Sequence, residues 1–177
     1  LESLDSTTSC PSSLIELRLD GNKLDELKLG PNLPKLRVAA VAENRLVKFD
    51  CAQLPALEEL DLRGNSISKV SIINAPLSTL LLGRNANESI SEGDIDNQVA
   101  KGLRTLDLSS NALIRFEDSA AMRLVSLHTL DLSDNPKLQE LPTSLVTLQE
   151  LEHINIKGCE VLALVDSKSA DMGFTAI

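Results

Sequence analysis

The chain has no Trp and no Tyr, and only Phe49, Phe116 and Phe174 are aromatic. Large rings therefore cannot build its core, yet 42% of its 177 residues are hydrophobic. Leucine supplies the bulk. Cations are also scarce: 17 basic against 26 acidic residues leave a net charge of −9. That argues against nucleic acid, whose binding rests on cations neutralising phosphates, and against an anionic membrane surface. A basic partner surface is compatible with it. No run of about 18 apolar residues occurs, so no membrane insertion is expected. No charged-then-apolar leader opens the chain. The three cysteines, Cys10, Cys51 and Cys159, are odd in number and far apart. With no paired cluster at either end, they suit reduced thiols in a cytoplasmic setting.

Catalytic signatures are missing as well. His128 and His153 have no cysteine or carboxylate at metal-ligand spacing. There is no G-x-S-x-G elbow, no phosphate-binding G-x-x-x-x-G-K-[ST] loop and no G-x-G-x-x-G. The expectation is a chain that is not an enzyme and carries no cofactor or metal.

What is present is a repeat, the feature to seek when one residue type builds the core. Leu14, Leu17, Leu19, Asn22 and Leu24 form L-x-x-L-x-L-x-x-N-x-L. The pattern returns from Leu36 (Ala39, Val41, Asn44, Leu46) and from Leu57 (Leu60, Leu62, Asn65, Ile67). The copy from Leu77 has Leu80, Leu82 and Asn85, but Asn87 stands where an apolar residue is due. Three more begin at Leu103, Leu127 and Leu151, with Asn111, Asn135 and Cys159 at the asparagine position. The starting residues step by 22, 21, 20, 26, 24 and 24.

In L-x-x-L-x-L the last two leucines are two apart, on one face of a short strand. One unit cannot bury them alone; stacked neighbours can, with a parallel ladder along one side. The chain turns away from the strand at the asparagine, whose short amide can donate to and accept from the backbone of successive turns. Asn22, Asn44, Asn65, Asn85, Asn111 and Asn135 are thus expected to form a structural ladder. Cys159 ends it as a weaker donor.

These residues closely resemble the leucine-rich-repeat family, and the copies account for nearly the whole chain. The resemblance implies an α/β fold: a right-handed, horseshoe-shaped solenoid with a parallel sheet on the concave face. Short helices, 3₁₀ turns or extended segments would line the convex face. One domain over residues 1–177 is expected. Leu1 and Leu4 precede Leu24 and Leu27 by 23 residues, and Phe174 and Ile177 follow Leu151 and Ile154 by 23. Partial repeats at both ends, and a longer parent protein with further domains, are therefore expected. Residues 162–177 could instead form an irregular cap.

Two kinds of copy are present. The early ones are short and enter the next strand through Leu33-Pro34 and Leu54-Pro55, with Ala75-Pro76 as a variant. Proline disfavours helix in the residue before it, so extended or 3₁₀ returns are expected. In the later copies, Ile95, Val99 and Leu103 at i, i+4 and i+8, the apolar stretch 120–127, and Leu141-Pro142 followed by Leu145, Leu148 and Leu151 suit short helices. The excess length of the 77–102 unit carries Glu88, Glu92, Asp94 and Asp96 and reads as a solvated acidic bulge. Asn87-Glu88-Ser89 is a glycosylation sequon, informative only in a secreted protein.

Residues flanking the inward leucines point to the concave face. The first outward column is Glu16, Val38, Glu59, Thr79, Thr105, Thr129 and His153. The second is Arg18, Ala40, Asp61, Leu81, Asp107, Asp131 and Asn155, and the third runs through Asp20, Ala42, Arg63, Gly83, Ser109, Ser133 and Lys157. The family resemblance implies that a protein partner binds here. Val38, Ala40 and Ala42, and Leu81 beside Gly83, read as exposed apolar groups for a partner's anchor. The leading expectation is an interaction module or scaffold of an intracellular signalling protein. Alternatives are a cis-regulatory region of an attached phosphatase, cyclase, kinase or GTPase, and an innate-immune or effector recognition domain.

Overall fold

The computed structural model describes residues 2–5, 10–49, 54–69 and 75–160. Cys51, Val161, the strand expected at Phe174 and Ile177, and the alternative cap at 162–177 lie outside the described residues.

Eleven short strands are described: β1 (Ser3–Asp5), β2 (Glu16–Arg18), β3 (Glu26–Lys28), β4 (Val38–Ala40), β5 (Glu59–Asp61), β6 (Thr79–Leu81), β7 (Ser89–Ile90), β8 (Thr105–Asp107), β9 (Arg115–Phe116), β10 (Thr129–Asp131) and β11 (His153–Asn155). Seven of them form one parallel sheet in the order β2-β4-β5-β6-β8-β10-β11. That order follows the chain, so each crossover advances by one strand and the architecture is a solenoid. The register sets Leu17, Ala39, Leu60, Leu80, Leu106, Leu130 and Ile154 side by side. These are the middle leucines of the repeat and their substitutes. With period-two alternation they face the core, and Ala39, Leu60, Leu80, Leu106 and Leu130 are buried.

The return segments close each turn. Five of them end in a turn in which the first leucine of the repeat donates to the carbonyl three residues back: Leu14 to Pro11, Leu36 to Leu33, Leu57 to Leu54, Leu127 to Leu124 and Leu151 to Leu148. In Leu33-Pro34 and Leu54-Pro55 the proline takes the second position of such a turn, where its fixed φ fits. The longer returns carry α1 (Asn97–Gly102), α2 (Asp118–Ala121) and a 3₁₀ helix (Thr143–Thr147). Two small parallel ladders lie in the returns. One pairs β1 with β3, Leu4 opposite Leu27, at the 23-residue offset noted in the sequence. The other pairs β7 with β9, Ile90 opposite Phe116.

The expectation of a solvated acidic bulge changes in part: Glu88 and Glu92 are exposed, but Asp94 and Asp96 are built into the turn. Asp94 is buried and accepts from the Ser91 amide and hydroxyl at 2.6 Å each. Asp96 caps α1 by accepting from the Gln98 amide at 2.8 Å, satisfying a donor that a helix start leaves orphaned. Glu92 binds Arg123 of the next turn.

Candidate protein-docking face

The candidate site is the outward face of the seven-stranded sheet, and two devices fix its backbone. The first is the asparagine ladder. The Asn135 amide donates to the carbonyls of Leu108, Leu132 and Ser133 at 2.9, 2.9 and 3.2 Å and accepts from the Leu113 amide at 3.1 Å. One side chain thus ties its own turn to the preceding one. Asn44, Asn65, Asn85 and Asn111 do the same. Asn22 donates to the carbonyls of Leu19 and Asp20 in its own turn. Cys159 keeps the inter-turn part: its buried thiol donates to the Leu132 carbonyl at 3.1 Å. Burial pushes this thiol above the ordinary cysteine pKa, and the nearby carboxylates of Asp134 and Asp131 add to the effect.

The second device precedes the ladder residue. Gly21, Glu43, Gly64, Arg84, Ser110, Asp134 and Gly158 all have φ between 50° and 77°. Every repeat therefore reverses through a left-handed residue, and four of the seven are not glycine. Such a conformation costs an L-residue roughly 1–2 kcal/mol. At Gly64 a Cβ would lie 2.8 Å from the Glu43 carboxylate, the movable end of an exposed side chain that pairs with Arg84, so the positive φ is the firmer reason for glycine there.

The outward columns divide into tethered and free groups. Asp61, Asp107, Asp131 and Asn155 each accept from the backbone amide two residues on, at 3.0, 2.9, 2.8 and 3.2 Å. These are Asx turns closing the strand end. Asp20 instead accepts from the Ala42 amide of the next strand at 2.8 Å. Asp131 also receives the Ser133 hydroxyl at 2.6 Å and the Asn155 amide at 3.1 Å. This column is partly structural, and the spacing Asp-x-Ser at 107–109 and 131–133 is the sequence signal that could have revealed it.

The apolar expectation changes in part. Ala40 and Ala42 are only 7% and 8% exposed, so they offer no anchor patch. Ala40 lies in register between Arg18 and Asp61, whose side chains are longer. Val38 and Leu81 are half-buried. At Gly83 the neighbouring side chains close in, and a Cβ there would require the Ser109 hydroxyl at 2.7 Å and the Asp107 carboxylate at 2.9 Å to shift. Thr79, Thr105 and Thr129 are half-buried, while Glu16, Arg18, Glu59, His153 and Asn155 are exposed.

Cations on the face are largely consumed within it. Arg18 pairs with Glu16, and Arg63 with Asp61 at 2.6 Å. The bond to Asp61 raises the Arg63 pKa, with Asp107 and Asp20 contributing. Asp20, Glu59, Asp107 and Asp131 form no direct ion pair among the described residues, although Arg63 lies near enough to feel Asp107 and Asp20, and Arg37 to feel Glu59. His128 sits on the rim, its Nδ1 2.7 Å from the Ser126 carbonyl and its Nε2 3.8 Å from Glu150. Among the described residues, no group of three His, Cys, Asp or Glu side chains could hold a metal ion, and no helix is long and apolar enough to cross a membrane.

Residues 101–161 match a family model described as "Leucine rich repeat", and residues 56–80 match a second of the same description. The chain is 30% identical to bovine leucine-rich repeat-containing protein 23 over 83% of this chain and 42% of that protein. It is 32% identical to bovine lumican over 89% of this chain and 49% of that protein. It thus spans less than half the length of these relatives. Among solved structures, an LRR protein of Leptospira interrogans superposes with a TM-score of 0.69 at 27% identity, over 82% of this chain and 37% of that one.

Proposed function

Because this chain belongs to the leucine-rich-repeat family, we propose that it is a protein-interaction module whose seven-stranded face receives a partner. One observation carries the reading. The inward residues and the ladder hardly vary from turn to turn, whereas the outward side chains of β2, β4, β5 and β6 differ from strand to strand. The fold does not need that variety, so recognition is its use. Asp20, Glu59, Asp107 and Asp131, which form no direct ion pair among the described residues, favour a partner segment bearing Lys or Arg, and Leu81 between Asp61 and Asp107 offers apolar contact for such a stem. The site holds no Tyr or Trp, so rigid aromatic anchors come from the partner.

The intracellular signalling setting is part of the proposal. Cys10 and Cys159 are free thiols. Asn87 of the sequon is fully buried, so a glycan there would be incompatible with the folded turn. The sequon therefore carries no argument for a secreted setting. Further domains of a longer parent belong to the same proposal.

The test is a double change on adjacent strands, Leu81→Arg with Thr105→Arg. It is expected to leave the melting temperature within a degree or two, since half-exposed outward positions are tolerant, and to abolish capture of native partners. A folded variant that retains its full partner set would sink the assignment of this face.

A further inference from the structure

We propose that the solenoid opens more readily between its fourth and fifth turns than at the planes on either side, because Asn87 places an unsatisfied carbonyl in the core at that plane. Asn87 occupies the position filled by Leu24, Leu46, Ile67 and Leu113 in other turns, all of them at most 2% exposed. It is itself 0% exposed, and its Oδ1 has no hydrogen-bond partner among the described residues. The amide orientation is determined by its neighbour. Asn111 donates to the carbonyls of Leu82, Leu108 and Ser109 at 3.0 Å each. That leaves the Asn111 Oδ1 facing Asn87, where it accepts from both the backbone amide and Nδ2 at 3.0 Å. Turning the Asn87 amide over would set two oxygens against each other, so the orphan stays.

A buried acceptor without a partner is destabilising, and in a repeat stack stability is a sum over turns and nearest-neighbour interfaces. A local deficit therefore becomes a local opening. The plane separates β6 from β8, the middle of the outward face, with Leu81 on one side and Asp107 on the other. A ligand lying across both strands would bind only the closed stack and hold it shut.

Native-state hydrogen exchange on the intact chain tests this strand by strand. The amides of Leu82, Arg84 and Arg104 bond across the fourth-to-fifth plane, to Asp107, Ser109 and Ser78. Those of Leu62, Gly64 and Ser78 bond across the plane before it, and those of Leu108, Ser110 and His128 across the plane after it. The first set is expected to exchange on the order of tenfold faster than the other two. Asn87→Leu, which keeps the backbone bond to Asn111, is expected to remove the difference. Asn87→Val serves if the longer side chain distorts the turn. Equal protection at all three planes in the natural chain, or a gap that survives both substitutions, would overturn the proposal.

Discussion

The two halves of the outward face are built on one backbone and dressed differently. β8 and β10 present the same surface: Thr105-Leu106-Asp107-Leu108-Ser109 recurs letter for letter at 129–133, with the same Asx turn at each strand end. From β2 to β6 no two strands match. Charged Glu16 and Arg18 give way to small Ala40 and Ala42, then to the Asp61–Arg63 pair, then to Leu81. The strand pairing, the ladder and the left-handed reversal are nonetheless the same in both halves. The frame is therefore indifferent to what the outward positions carry. The irregular half is free for recognition, while the regular half is partly spoken for by its own caps.

That comparison can be broken. If one core runs through both halves, Leu60→Ala and Leu106→Ala should each destabilise by about 2–5 kcal/mol, measured by denaturant unfolding. A cost below about 1 kcal/mol in only one would mean the halves are separately supported. Next in size, Asn135→Ala removes three donations and one acceptance within the core, and a loss of roughly 1–3 kcal/mol is expected. Asn135→Cys, copying the last turn, should recover part of it, which thermal melts of the three proteins would show. The left-handed reversal gives a smaller effect. Gly158→Ala, with φ at 77° and the Asp134 backbone 3.2 Å from the new Cβ, should cost about 1–2 kcal/mol.

The smallest effect separates the halves by pH. Asp118 of α2 accepts from the Ser144 amide at 2.7 Å and the Thr143 hydroxyl at 3.1 Å, capping the next turn's 3₁₀ helix. The Ser144 amide bond, foremost, holds this carboxyl below the usual carboxylate range. A depressed folded-state pKa stabilises above the unfolded value and loses that contribution as pH falls through the folded one. Asp118→Ala should thus melt slightly below the natural chain at neutral pH, and the gap should narrow on acidification. A constant gap would show that charge plays no part in the cap.

Most of the frame was legible because it depends on residue spacing alone. The 20-residue step from Leu57 to Leu77 is the register offset of Leu60 and Leu80, and the 23-residue offset of Leu4 and Leu27 is a strand pairing. What stayed hidden depends on partners from neighbouring turns. Glu43, Arg84, Ser110 and Asp134 do not advertise a left-handed backbone as glycine does. Asn87 was visible as a misfit, but its burial follows from Asn111 turning an oxygen toward it. Asp94 reads as a surface acid until Ser91 folds back on it. On the outward face, the columns followed from strand alternation. The burial of Ala40 and Ala42 did not, because it is set by side chains on other strands.

The strand-to-ladder interval has one more consequence. From the central strand residue to the ladder residue the count is five in every repeat, from Leu17–Asn22 to Ile154–Cys159. All variation in repeat length falls in the returns. Lengthening a turn therefore thickens the back of the molecule without moving the front, where parallel neighbours stand about 4.8 Å apart. The outward face is a ruler with constant graduations, and a ligand matched to its pitch in one such chain would find the same pitch after insertions had remade the other side.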